Sequence, residues 1–343
     1  MQTRILSYFH TAGELLRPHL GPAMVPKYPL YCAVSRCQHQ VQPFNTLLTC
    51  ETIADISSRP NHRLTLSELI DRRALDLLSL PERIFVLWSG GIDSSTVITS
   101  ILKNWSPGDL SKVTVLCNNS GIKENPNFFK IIANNFKVEF GHSKLEDFLK
   151  QGFVVTGEPG DQIFGSDMWL EIIKRGGANL LWEPWDKVGL DFFTSLDSEK
   201  GKATFENYAQ LVKESPIEIQ TARDFFWWID FTQKWQHVIY RVMMANVWND
   251  PKTYFPKMVH FYNTVDFQIW SLHNHDKKIK NDWASYKYLS KEYVIEYTKD
   301  VSFLNKSKIA SLQNLYLGNK INFAIDEQWN FLNFDECIER LRS

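Results

Sequence analysis

The sequence has no long apolar stretch and almost no net charge. Its apolar runs fall well short of the roughly 18 residues that a membrane-spanning helix requires, and its first residues lack the apolar region of a signal peptide. The 38 basic and 39 acidic residues leave a net charge of -1, which offers no global attraction for nucleic acid or an anionic membrane. We therefore expect a cytoplasmic protein with no membrane partner. We do not expect nucleic acid as a partner, although a local basic groove would still allow such binding.

Cysteine is scarce, and the sequence contains neither internal repeats nor low-complexity segments. Its five cysteines are odd in number and form no pair of CxxC elements. Three of them lie near the N-terminus, but no histidine pair follows at zinc-finger spacing. We expect ordinary reduced thiols. With 343 residues and 44% hydrophobic content, the chain is long enough to bury a sizeable core.

Three regions of the chain differ in their pattern. Residues 1–65 contain six of the 14 prolines and predict a small irregular appendage. Residues 66–165 alternate short apolar strands with helical patterns, beginning with a helix that Thr65 or Ser67 could cap. This alternation predicts an α/β fold with a doubly wound, mainly parallel sheet. Residues 166–343 carry long amphipathic and aromatic segments, which predict a helical lobe with a tryptophan-rich core.

The stretch FVLWSGGIDSSTVITS, residues 85–100, joins a buried strand to a helix through a polar turn. Such a turn lies at the carboxyl edge of a parallel sheet, where open α/β folds bind ligands. Gly90 and Gly91 let the backbone approach an anion, while the hydroxyls and the helix N-terminus can donate to phosphate oxygens. Asp93 repels phosphate, so its presence indicates Mg²⁺ between them. The structural alternative is a plain Gly-Ser connector with a capping aspartate.

The same stretch lacks the GxxxxGK[ST] pattern, so transfer of the γ-phosphoryl group is not expected. Instead SGGIDSS resembles the SGG[IL]DS signature of the N-type ATP pyrophosphatases, or PP-loop superfamily, which cleave ATP between the α- and β-phosphates. The resemblance implies an adenine nucleotide alpha hydrolase-like fold with ATP and Mg²⁺ as cofactors. It implies a triphosphate loop made of Ser89, Gly90, Gly91, Asp93, Ser94 and Ser95, and backbone contacts to adenine from Leu116 and Cys117.

A second stretch, TGEPGDQIFGS at residues 156–166, again follows a short apolar strand. It resembles the SGEG[AS]DE[LI]FGG segment of asparagine synthetase and β-lactam synthetase. The resemblance implies that Glu158 faces the reacting substrate and that Asp161 shares the magnesium-pyrophosphate site with Asp93. Pro159 stiffens the turn and removes one N–H donor, so the substrate geometry is expected to differ. The departures from the family pattern are Pro159, Gln162 and Ser166.

Weaker resemblances extend into the helical region. YFPKMVHFYNTVDFQIWSL is similar to the family segment PFLDxxLVEFAL, with Asp266 at the aspartate position. SYKYLSKEYVIEYTKDVSFLNKSKIA is similar to KYLLRxA…LPxxILxRxK, whose late lysine contacts the phosphates in the transition state. Lys306 and Lys308 are both candidates for that lysine. Lys308 is favoured, because Lys306 then occupies the arginine position of the family's RxK order.

Glutamine-dependent members of the family begin with a nucleophilic cysteine and a glutaminase domain, whereas Met1 is followed here by Gln2. The resemblance therefore implies an AMP-forming ligase that activates a substrate carboxylate or amide for attack by ammonia or an amine, without hydrolysing glutamine. One alternative is a PP-loop enzyme that modifies nucleobases or tRNA. Another is a non-catalytic nucleotide-binding protein. A homodimer is left open.

Overall fold

The computed structural model of the protein describes most of the chain between residues 56 and 305 and three short strands outside that range. The described residues are 5–8, 56–61, 63–140, 145–166, 168–196, 198–199, 201–235, 238–239, 251–305, 324–326 and 331–332. None of the helices in these ranges is long and apolar enough to cross a membrane.

A parallel sheet of five strands forms the centre of the described fold, with the strand order β4-β3-β2-β5-β6. Val86 of its central strand lies between Val115 and Val155 of the two neighbouring strands. All three valines are fully buried, as expected where helices cover both faces of a parallel sheet. The strands of the chain are β1 (Ile5–Tyr8), β2 (Arg83–Trp88), β3 (Val113–Cys117), β4 (Lys137–Phe140), β5 (Gly152–Thr156), β6 (Met258–His260), β7 (Ala324–Asp326) and β8 (Phe331–Leu332).

Helices follow most of these strands and fill the region after the fourth sheet strand. Thr65 caps the first of them: its hydroxyl accepts from Glu68 N at 3.3 Å, and the Glu68 carboxylate accepts from Thr65 N at 2.8 Å. The helices are α1 (Leu66–Leu78), α2 (Ile92–Asn104), α3 (Pro107–Leu110), α4 (Asn119–Glu124), α5 (Pro126–Asn135), α6 (Leu145–Leu149), α7 (Gly160–Phe164), α8 (Met168–Gly176), α9 (Trp185–Leu196), α10 (Gly201–Leu211), α11 (Ala222–Ile229), α12 (Pro251–Tyr254), α13 (Val265–His273) and α14 (Tyr288–Thr298).

The order of the strands creates a topological switch point between β2 and β5. The chain runs from β2 outward through β3 to β4, and then returns to place β5 on the opposite side of β2. The loops that leave β2 and β5 therefore start side by side at the carboxyl edge of the sheet. This edge is where ligands bind in open α/β folds.

The predicted α/β class with a parallel sheet is confirmed, and the four strands predicted between 84 and 158 all form. The fifth strand, Met258–His260, was not predicted and falls in the region expected to be helical. A three-residue strand has too short a pattern to be recognised, and it pairs with β5 only through the tertiary fold.

The two ends of the chain also meet in the structure. Strand β1 pairs antiparallel with β7, which pairs in turn with β8. Residues 5–8 of the predicted appendage thus share a small sheet with residues of the predicted helical region. The remaining residues up to 55 lie outside the described part, and the domain boundaries at 65 and 165 stay predictions.

Aromatic side chains form much of the core beyond the sheet, as the tryptophan-rich pattern predicted. The rings of α11 pack on one another and on the turn that follows, with ring centroids 5.9 Å apart for Trp227 and Trp228 and 5.1 Å apart for Trp227 and Phe231. The fully buried tryptophans are Trp88, Trp169, Trp227, Trp228, Trp235 and Trp270.

Candidate active site

The turn between β2 and α2 forms the first loop of the site. Gly90 adopts a left-handed conformation with φ +83°, and a Cβ there would lie 2.4 Å from the Gly121 carbonyl oxygen. Glycine is therefore required both for the conformation and for the close approach. Ser94 Oγ donates to the Gly91 carbonyl at 3.2 Å and accepts from Ser89 N at 3.2 Å, which closes the loop on itself.

Helix α2 begins directly after this loop with Gly91 as its N-cap. Gly91 has no side chain to cap the first turn, and the N–H groups of a helix's first turn are a common binding site for anions. Ser95, one turn in, is fully buried and accepts from Trp88 Nε1 at 3.1 Å. The strand and the helix are thereby joined beneath the loop by a hydrogen bond.

The loop after β5 lies directly against the first loop. A Cβ on Gly160 would lie 2.6 Å from Cγ of Asp93, so only a glycine lets the two loops come this close. The short helix α7 starts at that glycine and carries Asp161. The two stretches singled out in the sequence are therefore brought together, with their aspartates at the contact.

A buried lysine joins the two aspartates. Lys287 Nζ lies 2.7 Å from Asp161 Oδ1 and forms a short hydrogen bond with Asp93 Oδ2. The Lys287 side chain is only 2% exposed. Burial opposes its charge, but the carboxylates of Asp161 and Asp93 outweigh burial and raise the pKa of Lys287. The three side chains therefore hold two negative charges and one positive charge at the switch point.

Lys287 reaches the site from the N-terminus of α14, which packs against α2. Its backbone is left-handed, with φ 57°, and its N–H donates to the Lys278 carbonyl at 3.2 Å. The preceding Tyr286 donates its hydroxyl to Asp161 Oδ1 at 3.1 Å. Sequence reasoning missed Lys287, although it lies in the KYL stretch that resembles the family; only the two later lysines were singled out. Lys306 and Lys308 lie outside the described residues.

Glu158 lies in the second loop, almost buried, with a cis peptide bond to the following proline. Its N–H donates to Thr156 Oγ1 at 3.2 Å, and its carbonyl accepts from Tyr262 N at 3.3 Å. The same threonine hydroxyl lies 2.8 Å from His260 Nδ1. The end of β6 thus holds the backbone of Glu158 in place. The sequence did not reveal β6 as a strand.

The departures from the family pattern have local partners. Gln162 is fully buried. Its side-chain amide donates to Asp230 Oδ2 at 3.0 Å, and its backbone carbonyl accepts from Trp227 Nε1 at 3.1 Å. A glutamate at this position would face the Asp230 carboxylate and repel it. Ser166 Oγ accepts from Met168 N at 3.2 Å. Both departures therefore fit the surroundings of this chain.

Leu116 and Cys117 lie at the carboxyl end of β3 beside the first loop, and both are buried. Burial raises the pKa of the Cys117 thiol to about 12, so the thiol stays protonated. The backbone contact of Leu116 and Cys117 to adenine stays a prediction. Asp266, which the weaker resemblance singled out, forms a partly exposed ion pair with Arg72 of α1 at 3.3 Å.

The pair Asp93 and Asp161 fits the needs of Mg²⁺. Across the part of the chain that the structure describes, no cluster of three or more His, Cys, Asp or Glu side chains could hold a metal unaided. Mg²⁺ does not need such a cluster, because it usually binds one or two carboxylates together with substrate phosphates and water. Two carboxylates that already share one cation are suitable ligands of this kind.

No protein-family model matches the chain, and no curated protein matches it. The fold and the site define an α/β protein with a parallel five-stranded sheet. Its two polar loops at the switch point carry a pair of aspartates joined by a buried lysine.

Proposed function

We propose that the protein is an ATP-dependent adenylating ligase with the adenine nucleotide alpha hydrolase-like fold, releasing AMP and pyrophosphate. The observation that supports this most is the contact between the first and second loops at the switch point, which joins Asp93, Asp161 and Lys287. Each loop on its own could be an ordinary turn. The two loops meet through two carboxylates and a charged lysine. Bringing buried charges together costs free energy, and two ordinary turns would have no reason to do so.

In this proposal the first loop holds the triphosphate of ATP, which is a co-substrate. The N–H groups of the first turn of α2 donate to phosphate oxygens, and Gly90 and Gly91 leave room for the close approach. Asp93 and Asp161 hold the magnesium ion, which neutralises charge on the pyrophosphate when it is bound. Lys287 provides a second positive charge that is already in place before the reaction. Such preorganised charge is usually the largest contribution to catalysis.

The substrate's carboxylate or amide oxygen then forms a bond to the α-phosphorus, and the bond from that phosphorus to the bridging oxygen breaks, releasing pyrophosphate. Ammonia or an amine next attacks the activated carbonyl carbon and displaces AMP. Glu158 accepts the proton that the amine loses, because its carboxylate lies on the loop beside Asp93. Lys306 or Lys308 remains the proposed second phosphate lysine.

The deciding experiment incubates the purified protein with labelled ATP, Mg²⁺ and pooled metabolites and separates the nucleotide products. We expect AMP and pyrophosphate to form when a carboxylate substrate and ammonia are present. Asp161→Asn should reduce AMP formation at least about tenfold. Asp186→Asn is the matched control, because it makes the same change at an exposed position of α9.

Formation of ADP and phosphate in that assay would contradict the proposal. AMP formation that requires tRNA or a nucleobase would favour the alternative PP-loop modification enzyme. Glutamine should not replace ammonia as the nitrogen donor, and release of glutamate from glutamine would show that this part of the proposal is wrong.

A further inference from the structure

A second buried lysine, Lys278, lies a short loop before Lys287. Its side chain is fully buried, and its amine lies 2.9 Å from His275 Nδ1 and 3.3 Å from the ring centroid of Trp227. His275 Nε2 in turn lies 2.6 Å from Asp224 Oδ1. These four side chains, Asp224, Trp227, His275 and Lys278, are called the lysine platform below. The proposed reaction does not use them directly.

The hydrogen bonds of the lysine platform run in one direction. An ionised carboxylate only accepts, so the histidine proton lies on Nε2 and leaves Nδ1 to accept from Lys278. Burial, followed by the charge of Lys278, lowers the pKa of His275 to about 3. Burial and the neighbouring Arg223 lower the pKa of Lys278 well below its usual value. The imidazole is therefore neutral, and each side chain has a defined partner that fixes its position.

The lysine platform is connected to the candidate site at two points. The carbonyl of Lys278 accepts from the N–H of Lys287 at 3.2 Å. The indole of Trp227, whose face carries the Lys278 amine, donates through Nε1 to the Gln162 carbonyl in α7. This is the helix that carries Asp161. Trp227 therefore supports both the segment that leads to Lys287 and the helix that carries Asp161, one of the carboxylate partners of Lys287.

The backbone of Lys287 needs such support. Its φ of 57° is left-handed, which costs a non-glycine residue about 1 kcal/mol and persists only where the surroundings impose it. The loop that leads to it is ordered locally, because Asp282 and Ser285 cap each other and the rings of Trp283 and Tyr286 stack with centroids 4.5 Å apart. These contacts shape the loop, and Tyr286 attaches it to Asp161 and Trp169. The Lys278 carbonyl adds a hydrogen bond to the backbone of Lys287 itself.

We propose that Lys278 is a positioning residue for the candidate active site. Held by His275 over Trp227, it fixes the backbone of Lys287 so that the Lys287 ammonium meets the two aspartates. It does not touch reacting atoms. Its effect on catalysis rests on the proposed function, whereas its effect on the placement of Lys287 does not.

The first test measures how fast the Lys287 amine is reductively methylated, followed by mass spectrometry of its peptide. Lys278→Met keeps an unbranched side chain over Trp227 and removes the amine. We expect the labelling rate of Lys287 to rise at least about tenfold, because its segment opens more often. Lys277→Met is the matched control: it makes the same change at the neighbouring exposed position and should leave the rate unchanged.

A pair of histidine variants provides a second, independent measurement. His275→Phe keeps an aromatic ring against Trp227 but removes both nitrogens, so it should also raise the labelling of Lys287. His275→Gln can still donate to Asp224 and accept from Lys278, so it should restore the protection. This rescue distinguishes the hydrogen bonds from the packing of the ring.

Turnover provides the catalytic readout. Lys278→Met should lower kcat at least about tenfold while the KM for ATP changes less than about threefold, because the triphosphate loop is untouched. If the wild-type protein forms no AMP, the proposed function fails and the labelling still decides the positioning role.

Protection of Lys287 in both Lys278→Met and His275→Phe, with normal unfolding transitions, would overturn the proposal. If Lys278→Met does not fold, His275→Phe decides. Failure of both to fold would assign the lysine platform to stability alone and would equally overturn it.

Discussion

Two of the buried lysines among the described residues, Lys287 and Lys278, have pKa values shifted in opposite directions although solvent reaches neither. The side chain of Lys287 is 2% exposed and Lys278 is 0% exposed. Two carboxylates raise the pKa of Lys287 in spite of its burial, whereas Lys278 faces an imidazole and lies near Arg223, and its pKa is well below the usual value. Burial lowers the pKa of both amines, and the partners that each amine meets decide whether burial prevails.

The difference follows the proposed roles of the two residues. Lys287 brings a fixed positive charge to the edge of the sheet, where the proposed pyrophosphate leaves. Lys278 provides hydrogen bonds at fixed positions, for which a charge is unnecessary. Changing each residue in turn tests this difference.

Lys287→Met should have the largest effect. It leaves Asp93 and Asp161 close together without a cation, so the free energy of unfolding in magnesium-free buffer should fall by about 3 kcal/mol. The kcat for AMP formation should fall at least about 100-fold, or about 2.7 kcal/mol. Chemical denaturation and the product assay measure these two quantities.

Lys299→Met is the matched control for that variant. Lys299 ends the same helix in the same left-handed conformation, with φ 60°, but is exposed. Its replacement should change the free energy of unfolding by less than about 0.5 kcal/mol. Equal effects of the two variants would mean that the ion pairs of Lys287 contribute nothing.

His275 should make the stability of the protein depend on pH. Its pKa is about 3 in the folded protein against 6.5 for the unperturbed group. The unfolded chain therefore binds the extra proton between these values, and stability falls as the pH is lowered through this window. We expect the wild type to lose about 3 kcal/mol more than His275→Gln between pH 6.5 and pH 4. Parallel denaturation curves for the two proteins across this range would contradict the neutral imidazole.

Asp93→Asn should reduce turnover at least about tenfold, or about 1.4 kcal/mol, because it removes a charged ligand without changing the size of the side chain. The fold should be retained, as circular dichroism and thermal unfolding can verify. Asp186→Asn, at an exposed position of α9, is a control of the same chemistry. Undiminished AMP formation by Asp93→Asn would remove the first loop from the proposed mechanism.

Lys278→Met should have the smallest effect on stability, about 1 kcal/mol, because a buried amine is exchanged for an apolar side chain of similar length. Chemical denaturation beside Lys287→Met makes the comparison direct. A loss as large as that of Lys287→Met would mean that the Lys278 amine contributes as much to stability as the ion pairs of Lys287, and that the contrast between the two lysines is wrong.

Local sequence patterns were sufficient to predict the centre of the fold. The run IFVLW and the three strand patterns after it form adjacent parallel strands. Three of the four are buried on both faces, as their apolar runs require, whereas the edge strand β4 is partly exposed. The positions of Asp93 and Asp161, each directly after a strand, were sufficient to predict that they lie at the same edge of the sheet. The structure brings them together at Gly160.

Other parts of the site could not be predicted in this way. Lys287 follows the Asp93 loop at a great distance in sequence and reaches it only because α14 packs on α2. Strand β6 is too short to be recognised, yet its end holds the backbone of Glu158. Lys278 looks like one more lysine in a charged segment, since neither periodicity nor a motif indicates that it is buried.

The sequence by itself determined the parallel sheet and the two polar loops, because strand burial and turn chemistry are set by residues that are neighbours along the chain. Only the tertiary structure decided which lysine meets the aspartates and which one has its pKa lowered. Those outcomes depend on the charges and hydrogen bonds that distant segments bring to each amine. A local sequence pattern cannot predict these contacts.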